Sequence, residues 1–177
     1  MDPDTDAPLL TIEDLRPIAR WAADCAERAL PIFTAKAPDD TRPCDAISAS
    51  RAFADSGIRT AALRTIAWAA HAAARDVGDP AAAAAARAAS AAAAAAYTHP
   101  IATRHQLNHI LGPAAYAAHA IALRAGDTTG PGEAEIRRAI AQSPPEVRQI
   151  VQRMPGRAPG KGQLGGLFLQ LEMGLRR

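Results

Sequence analysis

Residues 81 to 96 read AAAAAARAASAAAAAA, and no other stretch restricts the fold as strongly. Alanine loses no side-chain entropy in a helix and has the highest helix propensity, so the tract is a helix and not disordered low complexity. The preceding Gly78, Asp79 and Pro80 supply a C-terminal glycine for the helix before it, an N-cap, and a proline at the first helical position. Arg87 is the tract's only charge. A helix this apolar must be covered by its neighbours, or it would expose a large patch. It therefore belongs at the centre, and the rest of the chain supplies the cover.

That cover is helical. Residues 1 to 10 read as a flexible N-terminal arm. A first helix runs from Thr11 or Asp14 to Leu30, opened by a Thr11/Asp14 capping box, with Pro17 tolerable only in its first turn. After a loop, ALPIFTAKAPDD, a second helix spans about 42 to 56, capped by Asp39, Asp40 or Thr41 and closed by Gly57. A third spans about 60 to 77. Residues 101 to 124 form the longest helix, with Leu107, Ile110, Leu111, Ala114, Ala118 and Ile121 on one core stripe. Pro113 lacks an N–H and its ring presses on the carbonyl of His109, which predicts a kink there.

DTTGPG, from 127, reads as a flexible loop. Two short helices follow, at about 133 to 142 and 144 to 153, the second with Ser143 and Glu146 as a capping box. Residues 154 to 166 form a Gly/Pro linker, and 167 to 177 a short C-terminal helix that docks on the bundle domain of residues 11 to 153. No strand-like alternation extends beyond a few residues. The fold class is all-α, a single-domain bundle of about seven or eight helices with a kinked central helix.

Three stripes depart from ordinary solvent-facing chemistry. His105, His109, Tyr116 and His119 share one side of the longest helix with Gly112 and Leu123, where a face meeting only water would carry Lys, Glu or Arg. Arg64, Trp68, His71 and Arg75 line up at i, i+4, i+7 and i+11 on the third helix. Trp21, Asp24 and Arg28 form a shorter stripe on the first, where Asp24 and Arg28 also have the spacing of an i, i+4 surface pair. If the stripes converge, they form a pocket of cations, rings and donors suited to an anionic or aromatic ligand. If they do not, they are interhelical hydrogen bonds and an exposed interface.

Other chemistries are excluded or left without support. His105 and His109 could reach one ion, but a third ligand is missing, and His105 and His119 lie about 21 Å apart along the axis. No metal and no cofactor is assigned. GRAPGKGQLGG contains a GK pair without the spacing, the following Ser or Thr, or the strand of a P-loop. Cys25 and Cys44 lie far from CxxC spacing, no nucleophile elbow occurs, and the reading leans away from an enzyme. Net charge is +2 without a dense basic run, so no nucleic-acid partner is expected. The absence of a leader-like start and of a long apolar span predicts a cytoplasmic protein without membrane insertion.

Several segments resemble one family in order along the chain: WAADCAERALPIF (21 to 33), PDDTRPCDAISASRAF (38 to 53), RTAALRTIAWAAHAAARDVGDPAAAAAARAA (59 to 89), HILGPAAYAAHA (109 to 120) and PPEVRQIVQRMP (144 to 155). They are similar to the immunity proteins of bacterial polymorphic toxin systems. The resemblance implies a helical cytoplasmic protein that protects its producer by binding a cognate toxin, and it implies no catalytic residues. The weakly basic charge argues against neutralising a nuclease by mimicking its acidic substrate. The expected partner is thus a toxin, met through the Arg, Trp and His stripes. The alternative is a small-molecule-binding resistance protein, or a biosynthetic enzyme with a His/Arg/Trp-lined interhelical pocket. A second copy of the chain is a further candidate partner.

Overall fold

A computed structural model describes residues 10–126 and 128–177; apart from Leu10, the N-terminal arm lies outside them. The elements in chain order are α1 (Ile12–Glu27), α2 (Leu30–Thr34), α3 (Arg42–Ser56), α4 (Ala61–Asp76), α5 (Pro80–Ala94), a 3-10 turn (Ala95–Tyr97), α6 (Arg104–Arg124), α7 (Thr129–Ala141), α8 (Pro145–Arg153) and α9 (Gly162–Leu175). Among the described residues there is no strand, and no helix is long and apolar enough to cross a membrane. The fold is all-α.

α5 is the axis of the bundle, and α1, α2, α3, α4 and α6 all pack against it. Gly78 has φ +69°, and the Asp79 carboxylate accepts from the N–H of Ala82 at 2.9 Å. Nine alanines of the tract from Ala81 to Ala93 are buried. Each adds little area, at roughly 0.8 kcal/mol per buried carbon, so stability depends on close helix approach and on a few large side chains. Phe33, Phe53, Leu63, Leu107 and Leu111 are the largest of these near the axis and are essentially fully buried. Hydroxyls bind the helices where alanine cannot: Ser90 donates to the carbonyl of Ala67 at 2.8 Å, and Ser50 lies 3.0 Å from that of Ala19 and 2.9 Å from that of Ala92.

Several local features differ from expectation for physical reasons. The stretch after α1 is not all loop, because Ile32 and Phe33 are buried on α2. The Thr11/Asp14 capping box forms, which starts α1 at Ile12 and leaves Pro17 inside the helix beyond its first turn. Pro113 likewise lies within α6, which runs through it without ending.

α7 begins in the expected loop, at Thr129. Its first turn needs no N–H donors, so Pro131 fits, and at Gly132 a Cβ would press on the Ala118 carbonyl at 3.1 Å. Ser143 does not form a capping box. Its hydroxyl donates to the Ile140 carbonyl at 2.7 Å and accepts from Arg148. The closing helix starts at Gly162, inside the expected linker, and packs on α6, α7 and α8.

Candidate functional site

One strip of α5 stays uncovered. Arg87 is exposed and Ala91 and Ala94 are half-buried, at i, i+4 and i+7 on a single face. α4 rises on one side with Arg64, Trp68 and His71, and α6 on the other with His109 and Tyr116, while Tyr97 closes one end. The half-open cavity between them has a volume of about 600 Å³. Parts of two of the three stripes, Arg64, Trp68 and His71 on α4 and His109 and Tyr116 on α6, therefore meet in one groove whose floor is mostly alanine.

The groove continues past His109 and Tyr116 into a second compartment of about 500 Å³. Its far wall is Arg157, Lys161, Leu164 and Phe168, and Ala91, His109 and Tyr116 line both compartments. Rings and cations are held in place by one another. Trp68 meets His71 edge-on at 5.9 Å, and Tyr116 meets Phe168 edge-on at 6.1 Å. The Arg64 guanidinium lies 4.7 Å over Tyr97, and that of Arg157 lies 4.0 Å over Phe168 while its Nε donates to Asn108 Oδ1. Trp68 is nonetheless 66% exposed, a large apolar surface left bare beside the groove.

The electrostatics are one-sided. No carboxylate lines either compartment, and among the described residues Arg64, Arg87, Arg157 and Lys161 make no ion pair. Partial burial against the groove wall, and then the neighbouring His105, hold His109 below the usual imidazole range, although more than a third of its surface stays exposed. Burial also lowers Arg157, opposed by Glu172 and Tyr116. The site can thus offer positive charge, aromatic faces and a neutral imidazole. Among the described residues no three His, Cys, Asp or Glu side chains gather within reach of one ion.

The remaining candidates lie elsewhere. His105 is exposed one turn before His109, and Arg75 is exposed one turn beyond His71, outside the lining. His119 turns to α9, its Nδ1 3.0 Å from Gln163 Oε1.

The α1 stripe lines a separate groove of about 860 Å³ between α1 and the turn from α7 to α8. There Trp21 is buried and its Nε1 donates to the Ala139 carbonyl at 3.0 Å. Asp24 and Arg28 do not pair with each other: Arg51 on α3 takes Asp24 at 2.9 Å, and Glu135 on α7 takes Arg28 at 3.2 Å. Neighbouring charges are also matched, Arg16 with Glu13 and Arg20 with Asp55. Most charges along that larger groove are thus already paired within the fold.

The chain matches the family described as Imm-5 like putative immunity protein over residues 9–146. It belongs to that family. The match takes in α1 to α7 and ends two residues into α8, so the first compartment is built wholly from family-matched residues, whereas Arg157, Lys161, Leu164 and Phe168 lie beyond it. No curated protein and no solved structure matches the chain.

The charged and aromatic groove residues that the sequence pattern did not single out are Arg87, Tyr97, Arg157, Lys161 and Phe168. Arg87 carried a signal, since a lone arginine in an alanine helix must mark the side that neighbours leave open. Arg157 and Lys161 carried none, because only a fold-back of the chain brings them to α6.

Proposed function

We propose that this chain is a non-enzymatic immunity protein that binds and neutralises a cognate toxin in the cytoplasm of the bacterium that makes it. Family membership supports a protein partner. The two free cysteines, Cys25 and Cys44, fit a reducing compartment. The observation that carries the choice of surface is the groove between α4, α5 and α6, where unpaired Arg64 and Arg87 flank exposed Trp68. Tryptophan and arginine dominate interface energetics, and an arginine without a carboxylate partner in the fold breaks no ion pair by turning to a new one.

The test is protection of cells that express a candidate toxin gene cloned from the neighbourhood of this one. The wild-type chain should protect, and Arg64→Glu with Arg87→Glu should abolish protection while lowering the melting temperature only slightly, through loss of the Arg64 contact with Tyr97. Failure of the wild type to bind or protect ends the reading, and full protection by the double variant moves the interface away from the groove.

The concave shape favours one second reading. A cavity of about 600 Å³ with apolar walls has ligand-site dimensions, so a small aromatic anion is the alternative occupant. A melting rise on adding such a compound, lost in Arg87→Ala or His109→Ala, would favour it.

A further inference from the structure

The two compartments share a wall, yet they draw their cations from opposite sides of it. Arg64 and Arg87 belong to the first, Arg157 and Lys161 to the second, and His109 and Tyr116 stand between. An occupant confined to one compartment would leave the other pair without a directly paired carboxylate, Glu172 only partly offsetting Arg157. An uncharged occupant would strip water from guanidinium and ammonium groups without replacing it, which is costly. An extended peptide rises about 3.3 Å per residue with side chains alternating in direction, so a short segment can cross the wall and present acids on both sides. Apolar contact is available between them, from Trp68, Tyr116 and Ala91 in the first compartment to Leu164 and Phe168 in the second.

The second compartment is held in a fixed shape. The backbone N–H of Arg157 points to Glu172 Oε1 at 3.3 Å, and Glu172 is itself buried and held by Arg176 Nε at 3.0 Å. Gly160 and Gly165 pass backbone to backbone, so closely that a Cβ on Gly165 would lie 2.7 Å from the Gly160 oxygen. The Arg157 side chain is pinned by Asn108 and Phe168. Little ordering remains to be done on binding. α9 starts at Gly162, and the positive end of its helix dipole adds potential to the same compartment.

We infer that the groove holds an extended acidic segment of its protein partner, with one carboxylate at Arg64 and Arg87 and a second at Arg157 and Lys161, and that residues 157–168 select which partner is accepted. This rests on the reading of the chain as a protein binder. The selecting segment lies beyond the family match at residue 146. It adds a second anionic subsite to a groove that the family-matched helices already form.

The test uses the full chain and three probes: an octapeptide of glutamates with one central phenylalanine, its glutamine counterpart, and a short oligothymidylate. Binding is followed by Trp68 fluorescence, since Trp21 is buried away from the groove. The glutamate peptide should bind saturably, and Lys161→Glu should weaken it by about tenfold or more. Arg157→Gln should weaken it too, whereas Arg137→Glu, an exposed change lining neither compartment, should not. Equal binding of the glutamine peptide, tighter binding of the oligothymidylate, or indifference to Lys161→Glu overturns the inference.

The same variants in the toxin-protection assay separate the two levels. If the wild type fails to protect, the immunity reading falls. If it protects and Lys161→Glu with Arg157→Gln protects equally, the reading stands and the second subsite falls.

Discussion

Arg28 donates from Nε to Glu135 Oε1 at 3.2 Å, joining α1 to α7, while Asp24 one turn earlier takes Arg51 from α3. Glu135 is only 7% exposed, and its other cation, Arg138, stands 3.9 Å away. Arg28→Ala should therefore cost about 1.5–3 kcal/mol in urea unfolding, because it leaves a buried carboxylate short of its partner. Asp24→Ala should cost only about 0.5 kcal/mol or less, since Arg51 keeps Glu27 at 2.7 Å. A pair within α1 would have made the two losses equal.

The same corner shields a thiol. Cys25 is buried, and burial first, then the charges of Glu135 and Asp24, push its pKa well above the usual thiol range. Cys44 is exposed. A disulfide reagent should titrate one thiol in the native protein and two in denaturant. Arg28→Ala should speed the slow one by loosening the contact that covers it.

Gly165 and Gly174 both meet neighbours closely on α9, with different expected costs. A Cβ on Gly165 would strike the backbone of Gly160, including its oxygen at 2.7 Å, and backbone cannot step aside. A Cβ on Gly174 would meet the Ile140 side chain, whose Cδ1 lies in the way and whose Cγ1 is 3.0 Å off. Gly165→Ala should cost about 2–3 kcal/mol and raise amide exchange over residues 156–162. Gly174→Ala should cost about 1 kcal/mol or less, because an isoleucine can change rotamer.

His109 gives a pH signature. Its folded pKa is depressed, by burial and then by His105, so between that value and the unfolded value of about 6.5 the unfolded chain holds a proton that the folded chain does not. Stability then rises with pH through this window and is lost as pH falls through it. On going from about pH 7.5 to about pH 5.5, the melting temperature of the wild type should drop further than that of His109→Gln.

The architecture was legible where periodicity and punctuation agreed. The alanine tract between Asp79 and Tyr97 could only be a covered helix, and Gly57 and Gly78 end helices as their positions implied. The groove was half legible. Arg64, Trp68, His71, His109 and Tyr116 each stood out against the residues expected on a solvated face, but only the docking of α4 and α6 on either side of α5 brings them together. Trp21 shows the limit of a stripe argument, since a ring on a helix flank can equally meet another helix, and here it meets α7. Arg157 was out of reach because its partner Asn108 lies 49 residues earlier, a separation that no local pattern records.

The two tryptophans should separate fold from function. Trp21 fills the contact between α1 and α7 and donates to the Ala139 carbonyl, so Trp21→Ala removes a buried ring and leaves that carbonyl without its donor. The expected loss is about 3–5 kcal/mol, with binding by the surviving folded fraction unchanged. Trp68 is mostly exposed and contacts His71 edge-on, so Trp68→Ala should move the melting temperature little. It should nevertheless weaken binding of the toxin by roughly tenfold or more, as removal of a central aromatic anchor does. Calorimetric melting and a binding titration on the same two variants check both halves. If Trp68→Ala binds as the wild type does, the groove between α4 and α6 is not where the partner sits.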